Sequence, residues 1–516
     1  MQREWILSVD VGTSSVKATI FNDQAELMAE QSCGYPLVQP QPGWVEQDPH
    51  DVLQAFERAI QNVLAQTNHK PQIIVLSTAM HALMGLDDHE QPLTRFLTWA
   101  DQRAEELARK LRATPEGLEI YQRTGTPIHA MSPLLKLAWF RESQPELFTQ
   151  AKLWVDLKAY LLHELVGEWV IDESLASATG LFNLKTRAWD EQALTWCGVN
   201  QTQLPRLVKT TDCVGIIPAD LAQRLGTPEN TKVIAGASDG ALANLGVGAV
   251  VPGSLALSIG TSGAARQVVK QPQLDPEGRL FCYVVDDEHY IIGGPINNGG
   301  IVLRWLEFLF GPGQREGQEL ASDQAQSHMF YETLNKEAAA IAPGSEGLFC
   351  LPYLTGERAP LWREDVSGSF WGLRLTHTRG HLMRAVLEGI SYQLNSVVKL
   401  LEELAGPARE IRATGGFTQS KVWTEILTDI LGNPLGIPKY TQGTALGGAF
   451  LAWSALGQLE SLEQCAELVP VAQIMEPNAA RKERYQKGYA LFQDLVHLGE
   501  TQFPKLNEFA NGGYKK

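Results

Sequence analysis

The stretch WILSVDVGTSSVKA, residues 5–18, decides the fold. Ile6, Leu7, Val9 and Val11 predict a buried strand, Gly12, Thr13, Ser14 and Ser15 a tight turn, and Ala18, Thr19, Ile20 and Phe21 a second strand. The product is a β-hairpin with an acid, Asp10, just before its turn and a cation, Lys17, just after it. Small residues at such a turn let backbone N–H groups approach an anion closely, and hydroxyls add donors, so the turn suits a phosphate. One such stretch is more often an ordinary Gly/Ser turn. The chain, however, repeats it. Residues 255–263 read LALSIGTSG, which sets Gly260, Thr261 and Ser262 on Gly12, Thr13 and Ser14. Asp10 meets Ser258, so the second copy keeps the anion cradle and loses the acid.

Working outward, the repeat divides the chain into halves that start near residues 5 and 254. A length of 516 residues predicts two or more domains with sizeable cores. The boundary is expected beside Val250, Val251, Pro252 and Gly253, giving domains 1–249 and 250–516. Hydrophobic content of 44% and charged content of 20% are ordinary for a globular protein. A net charge of −16 argues against broad binding to nucleic acid or an anionic membrane, while a local cationic pocket for a small anion stays allowed. The expected setting is cytoplasmic: the N-terminus runs straight into a strand without a leader pattern, and no apolar run is long enough for a bilayer. Cys33, Cys197, Cys213, Cys282, Cys350 and Cys465 form no C-x-x-C pair and read as reduced thiols.

Taken in order, residues 26–32 extend the first hairpin by a strand, and a loop with prolines at 36, 40, 42 and 49 leads to a helix over 51–65. A buried strand at 72–77 ends in Thr78, Ala79, Met80 and His81; another, at 96–100, ends near Trp99, Asp101 and Arg103. Open α/β sheets place ligands at strand ends, so Met80, His81, Trp99, Asp101 and Arg103 form a candidate substrate pocket. Helices are expected at 104–111, from 133 to 140 and at 153–165, with irregular chain at 180–189. A short strand at 233–236 turns through Ser238, Asp239 and Gly240 into a helix at 241–245. In the second half, strands are expected at 290–294, 347–352 and 411–414. Helices are expected after Gly300 with Val302, Leu303, Leu306 and Leu309 on the apolar side, and at 381–404, 423–431, 443–456 and 478–496. The polar close at 511–516 is expected to fray.

Two Gly/Ser/Thr hairpins, one per half, suggest a nucleotide gripped between related domains, since backbone amides bind phosphates without positive side chains. Asp10 beside a phosphate would be repelled without a divalent cation between them; Mg²⁺ accepts one or two carboxylates plus phosphates and waters. As a plain strand-end acid, Asp10 would instead cap the turn. Asp239 has two readings, a helix N-cap or a general base that takes a hydroxyl proton while the oxygen attacks a γ-phosphate. Gly299 and Gly300 before a helix, and Gly415, Gly416 and Ser420 after a strand, suit backbone contact with a nucleoside or serve as turns and caps.

These pieces together resemble the FGGY family of carbohydrate kinases over nearly the whole chain. The first family signature appears as Met131, Ser132, Pro133, Leu134, Leu135, Lys136, Leu137, Ala138, Trp139, Phe140, Arg141 and Glu142, departing only at Ser143. The second runs complete through Gly368, Phe370, Gly372, Leu373, His381, Leu382, Ala385, Val386, Leu387 and Glu388. The resemblance implies an α/β fold of two related ribonuclease H-like domains (actin/hexokinase/Hsp70 ATPase type) with a cleft between them. It implies Asp239 as catalytic base and Asp10 as the Mg²⁺ ligand. Gly12, Thr13, Ser14, Lys17, Gly260 and Thr261 fall at the phosphates of ATP, and Gly300, Arg304, Gly416 and Ser420 at nucleotide positions of the second domain. Met80 and His81 stand where glycerol kinases carry Arg-Glu, which sets glycerol aside. Ser77–Leu83, Thr98–Arg103 and Ser177–Phe182 look most like the gluconokinase branch, with a xylulokinase as the alternative. The expected reaction is phosphorylation of D-gluconate; an actin-like ATPase without a sugar is the rival of another class. Arg103, Lys136 and Lys158 are the candidate cations for a substrate carboxylate. The partner expected is a small sugar or sugar acid, with no nucleic acid or membrane, and homodimer formation left open.

Overall fold

The computed structural model describes residues 3–311, 324–440 and 442–512. The part of the polar close from residue 513 lies outside them. In chain order the elements used below are β1 (Ile6–Val11), β2 (Ser15–Phe21), β3 (Leu27–Gly34), α1 (Pro49–Leu64), β4 (Ile73–Thr78), α2 (Pro133–Ser143), α3 (Leu157–Val166), β5 (Cys213–Ile216), β6 (Lys232–Ser238) and α4 (Asp239–Gly246). They continue with β7 (Ser254–Ile259), β8 (Gly263–Val269), β9 (Tyr290–Ile296), α5 (Ile301–Phe310), α6 (Arg379–Ala405), β10 (Glu410–Thr414), α7 (Lys421–Leu431), β11 (Leu435–Pro438), α8 (Gly443–Ala455), β12 (Val471–Met475) and α9 (Ala479–Glu500).

The first sheet has the order β3–β2–β1–β4–β6–β5. The first three strands are antiparallel, β1, β4 and β6 are parallel neighbours, and β5 returns antiparallel at the edge. The second sheet carries β9–β8–β7–β10–β11–β12 in succession. Here too the strand after the hairpin's first is parallel to it, the next is parallel again, and the edge strand is antiparallel. The repeat seen as two turn sequences is thus a repeat of whole sheets. Both hairpins form where expected because a run of β-branched and aliphatic residues is interrupted by a glycine and hydroxyl residues, a local signal. On β1, β4 and β6 nearly every side chain is buried, as parallel strands covered on both faces require.

Residues cluster into two compact units. Unit 1 comprises 1–252, 267–292 and 442–470; unit 2 comprises 253–266, 293–441 and 471–516. A single division at 249/250 does not describe them, because α8 packs within unit 1 against α4, β1, β4 and β6. Its sequence, GTALGGAFLAWSA, explains why. A Cβ on Gly246 of α4 would lie 1.5 Å from the Gly443 carbonyl oxygen, so the two helix backbones touch.

Four local expectations are corrected. The strand at 96–100 is only Phe96–Leu97, paired with Glu46–Gln47 and not with the main sheet, and the chain turns at Thr98, whose carbonyl accepts from Asp101 N–H. The helix expected from 153 starts at Leu157, because Asp156 caps it through the N–H groups of Lys158 and Ala159; Leu153–Val155 is instead a strand against Met84–Leu86. Residues 180–189 contain a small hairpin, Phe182–Asn183 with Ala188–Trp189. Leu309 faces solvent at 48% exposure, leaving Val302, Leu306 and the stem of Glu307 as the buried stripe of α5.

Candidate active site

In unit 1 the site grows from the end of β1. Asp10 pairs across the hairpin with Lys17 and, on its other side, with Ser77 of β4. Ser77 Oγ donates to Asp10 Oδ1 at 2.7 Å. The turn is fixed from outside as well as by its own Gly12 N–H to Ser15 carbonyl bond of 2.9 Å. Tyr35 Oη donates to the Gly12 carbonyl, Gln47 Nε2 to the Thr13 carbonyl at 2.8 Å, and Trp99 Nε1 to Thr13 Oγ1 at 2.8 Å. Ser14 is exposed at the tip, and Lys17 is half exposed with Glu30 at 3.9 Å. Tyr35, Gln47 and Ser77 are supports that the sequence did not single out.

Asp239 arrives at the same end of the sheet by a defined route. β6 pairs with β4 so that Ala237 meets Ser77 and Ser238 meets Thr78. The register shifts between Ile234 and Ala237, and Gly236 sits at the shift with φ of 77°. A Cβ there would lie 1.8 Å from the Leu76 carbonyl oxygen, so only glycine fits the bulge that sets the aim of Asp239. The helix cap falls to Ser238, whose side chain accepts from Ala241 N–H, and Asp239 is the first helical residue. Its carboxylate accepts from Gly240 N–H at 2.7 Å. The cap reading of Asp239 therefore passes to its neighbour.

The two acids sense each other. Burial is the main cause that raises the Asp10 carboxyl from an ordinary 3.8 to about 6; the Ser77 hydrogen bond opposes it, and the Asp239 charge adds to it. The charges of Lys17 and Lys158 lower it further down the scale of effect. Because the folded value lies above the unfolded one, ionised Asp10 costs stability. The penalty is absent below about pH 4 and fully developed above about pH 6. Asp10→Asn should accordingly stabilise the ligand-free protein at pH 7.5 by up to about 3 kcal/mol, a ceiling because the side chain is partly exposed. Urea unfolding at pH 7.5 and at pH 4 checks this: a gain of equal size at both would mean that the carboxylate charge is not its source.

The segments beyond the strand ends are tied down by cations. His81 has a left-handed backbone, φ of 71°, and its Nδ1 lies 2.9 Å from the Ala178 carbonyl. Met80 precedes it, partly exposed. Arg103 is 3% exposed at its side chain and grips Asp101 through Nε at 2.7 Å and Nη2 at 2.8 Å, with Nη2 also 2.6 Å from Glu46. Its guanidinium lies over the Trp44 ring at 3.9 Å. Asp101 in turn accepts from Val45 N–H at 2.8 Å. Lys136 and Lys158 are fully buried, the first against three carbonyls and the second against Asp172 at 2.8 Å and the Ala237 carbonyl at 2.9 Å. All three cations considered for a substrate carboxylate thus hold the protein's own oxygens. The sequence showed the charges but not their partners.

A second site lies wholly in unit 2. Gly260, Thr261, Gly300, Arg304, Gly416 and Ser420 line one cavity of about 370 Å³. The β7–β8 turn and the start of α5 are interlocked: Gly300 N–H donates to the Gly260 carbonyl at 2.7 Å and Ile301 N–H to that of Thr261 at 3.0 Å. Added Cβ atoms on Gly299 or Gly300 would come within 2.7 Å of these backbones. Ser420 caps α7 through Trp423 N–H and donates to Asn335 Oδ1 at 3.0 Å. Glu357, not singled out in the sequence, braces this corner: buried, it accepts from Asn297 N–H at 2.5 Å and Asn298 Nδ2 at 3.2 Å. Phe417, Met383 and Trp423 give the cavity an apolar wall, as a planar base requires.

Among the described residues no group of three or more His, Cys, Asp or Glu side chains is arranged to hold a metal ion, and no helix is long and apolar enough to cross a membrane. The Asp10 carboxylate, at the foot of the phosphate-suited turn, nevertheless has the donor chemistry that Mg²⁺ accepts, one or two carboxylates with phosphates and waters in its remaining positions.

Residues 5–246 match the family model for the N-terminal domain of the FGGY family of carbohydrate kinases, and residues 255–456 match that for its C-terminal domain. A gluconokinase of Bacillus subtilis (strain 168) is 39% identical over 511 residues, 98% of either chain. Among solved structures, a gluconate kinase from Lactobacillus acidophilus aligns with a TM-score of 0.90 at 34% identity, covering 98% of this chain and 100% of that one. A xylulose kinase from the same organism aligns with a TM-score of 0.90 at 33% identity, covering 97% and 99%.

Proposed function

Because this chain belongs to the FGGY family of carbohydrate kinases, we propose that it transfers the γ-phosphoryl group of ATP to the terminal hydroxyl of D-gluconate, releasing ADP and 6-phosphogluconate. The observation that carries the choice of sugar is the 39% identity to a gluconokinase over 98% of both chains. The two-sheet fold is of the ribonuclease H-like kind expected of such kinases.

In this reading Asp239 takes the proton of the sugar hydroxyl as that oxygen bonds to the γ-phosphorus. The bond from the γ-phosphorus to its β-bridging oxygen breaks, and ADP leaves with the electron pair. Such transfer is loose, so most of the rate comes from alignment and from stabilising spread charge. Gly12, Thr13 and Ser14, with Lys17, present donors to the transferred phosphate. Gly260, Thr261, Gly300, Arg304, Gly416 and Ser420 hold the nucleotide. Asp10 would hold Mg²⁺, which would supply countercharge to the phosphate oxygens. Met80, His81 and Trp99 face the sugar, and the Asp101–Arg103 pair fixes the segment that carries Trp99.

A second reading, phosphorylation of xylulose, is favoured by the equal TM-score of the xylulose kinase structure. A panel of gluconate, xylulose and glycerol with ATP and Mg²⁺, followed by coupled ADP detection, tests both. Gluconate should give the highest kcat/KM, about 10-fold or more above xylulose, the range in which a site separates related substrates. A preference for xylulose would replace the first reading with the second. ADP release indifferent to every sugar would sink both.

A further inference from the structure

Lys136 lies on α2 with its side chain wholly buried, and among the described residues it touches no carboxylate at hydrogen-bond distance. Its Nζ donates to the carbonyls of His81 at 2.5 Å, Thr98 at 2.8 Å and Leu97 at 3.2 Å. An ammonium has three N–H donors and no acceptor, so three carbonyls match its charged form one for one. A neutral amine would offer two donors and turn a lone pair toward the third oxygen. The acceptors belong to two segments that the Leu83–Leu97 backbone bridge also joins, so the ammonium adds to that bridge at the ends nearer Met80 and Trp99. One follows β4 and holds Met80 and the left-handed His81; the other leads into Trp99, whose indole reaches Thr13 of the hairpin.

We propose that Lys136 is a positioning residue for the sugar site: its ammonium fastens the His81 segment to the Thr98 segment, and the sugar-facing residues are assembled only while it carries its proton. The inference rests on the sugar-kinase reading for its consequence in turnover, but not for the fastening itself. The charged groups facing Lys136 come from the segment after Thr98. Asp101 favours the ammonium and Arg103 opposes it, with Arg103 itself paired to Asp101 and to Glu46. His81, whose carbonyl Lys136 holds, is titratable too, and its ring lies at the Ala178 carbonyl. Burial outweighs these charges and pulls the amine down to about 7. The direction follows: below pH 7 the fastening holds, and it loosens as pH rises.

Two measurements test this. In ligand-free protein, hydrogen exchange of peptides covering 79–84 and 96–101, corrected for the intrinsic pH dependence of exchange, should quicken in a one-proton step centred near pH 7. At saturating ATP, the gluconate KM should rise by about 10-fold or more between pH 7 and pH 8.5, as loss of a single required proton dictates, with the ATP KM far less affected. Lys136→Met should show the fast exchange and weak gluconate binding at every pH, without the step. Exchange and KM that are flat with pH in the wild type overturn the proposal even if the variant does not fold. Exchange that steps as expected in a protein that turns over no gluconate would keep the fastening and discard the choice of sugar.

Discussion

Asp239→Asn should lower kcat by about 10²–10⁴-fold, the usual worth of a positioned general base, while nucleotide affinity changes little. The expectation is large because the cap and the backbone hydrogen bond at this turn both survive the change to Asn. Ser238 caps α4. The hydrogen bond from Gly240 N–H to the Asp239 carboxylate needs only an acceptor oxygen, which the amide retains. The Gly236 bulge aims the side chain whatever its charge. The cavity proposed for the nucleotide lies in the other unit. Steady-state kinetics with gluconate, beside a titration with a fluorescent nucleotide, separate chemistry from binding. A kcat within a few-fold of wild type would remove Asp239 from the role of base.

The largest expected effect on stability is at Lys158. Its ammonium and the Asp172 carboxylate are both fully buried, 2.8 Å apart, and the ammonium also holds the Ala237 carbonyl, two residues before Asp239. Lys158→Met removes one partner of a buried pair, a change that typically costs about 3–5 kcal/mol because the other charge stays without compensation. Asp172 also caps the short helix Glu173–Ser177 through Leu175 N–H, so it cannot simply leave. Adding Asp172→Asn should return a good part of the loss, since the amide keeps the cap and carries no charge. Urea unfolding of the single and double variants decides. A single variant that loses less than about 1 kcal/mol, the worth of an exposed pair, would show that the pair carries little.

The hairpins, the long helices α1, α6 and α9 and the turn at Asp239 could be read from the chain because their signals are local: glycine and hydroxyl residues between aliphatic runs, caps and helical spacing. The six residues that line the unit 2 cavity lie at such local signals too, Gly260 and Thr261 in the repeated hairpin and the others at or just after two glycine pairs. What could not be read is the employment of the buried cations. Lys136 meets a carbonyl 55 residues away, Arg103 a carboxylate 57 away and Lys158 a carbonyl 79 away. A sequence displays a charge without displaying what satisfies it. Short strands failed for a related reason. Phe96–Leu97 is a strand because Glu46–Gln47 and Leu83 lie beside it, and no property of the two residues alone announces those partners.

The return of α8 to unit 1 has a consequence for how the protein is made. The sheet of β1, β4 and β6 emerges from a ribosome with the first 252 residues, but the helix that covers it lies at 443–455, in the last portion of unit 1, which ends at residue 470. The 190 residues between them, 253–442, take about 10–40 s to translate at ordinary rates of elongation. For that interval the nascent sheet holds an apolar face without its helix, and during synthesis the N-terminal half cannot complete itself ahead of the C-terminal one. Expressing residues 1–252 alone would make that interval permanent.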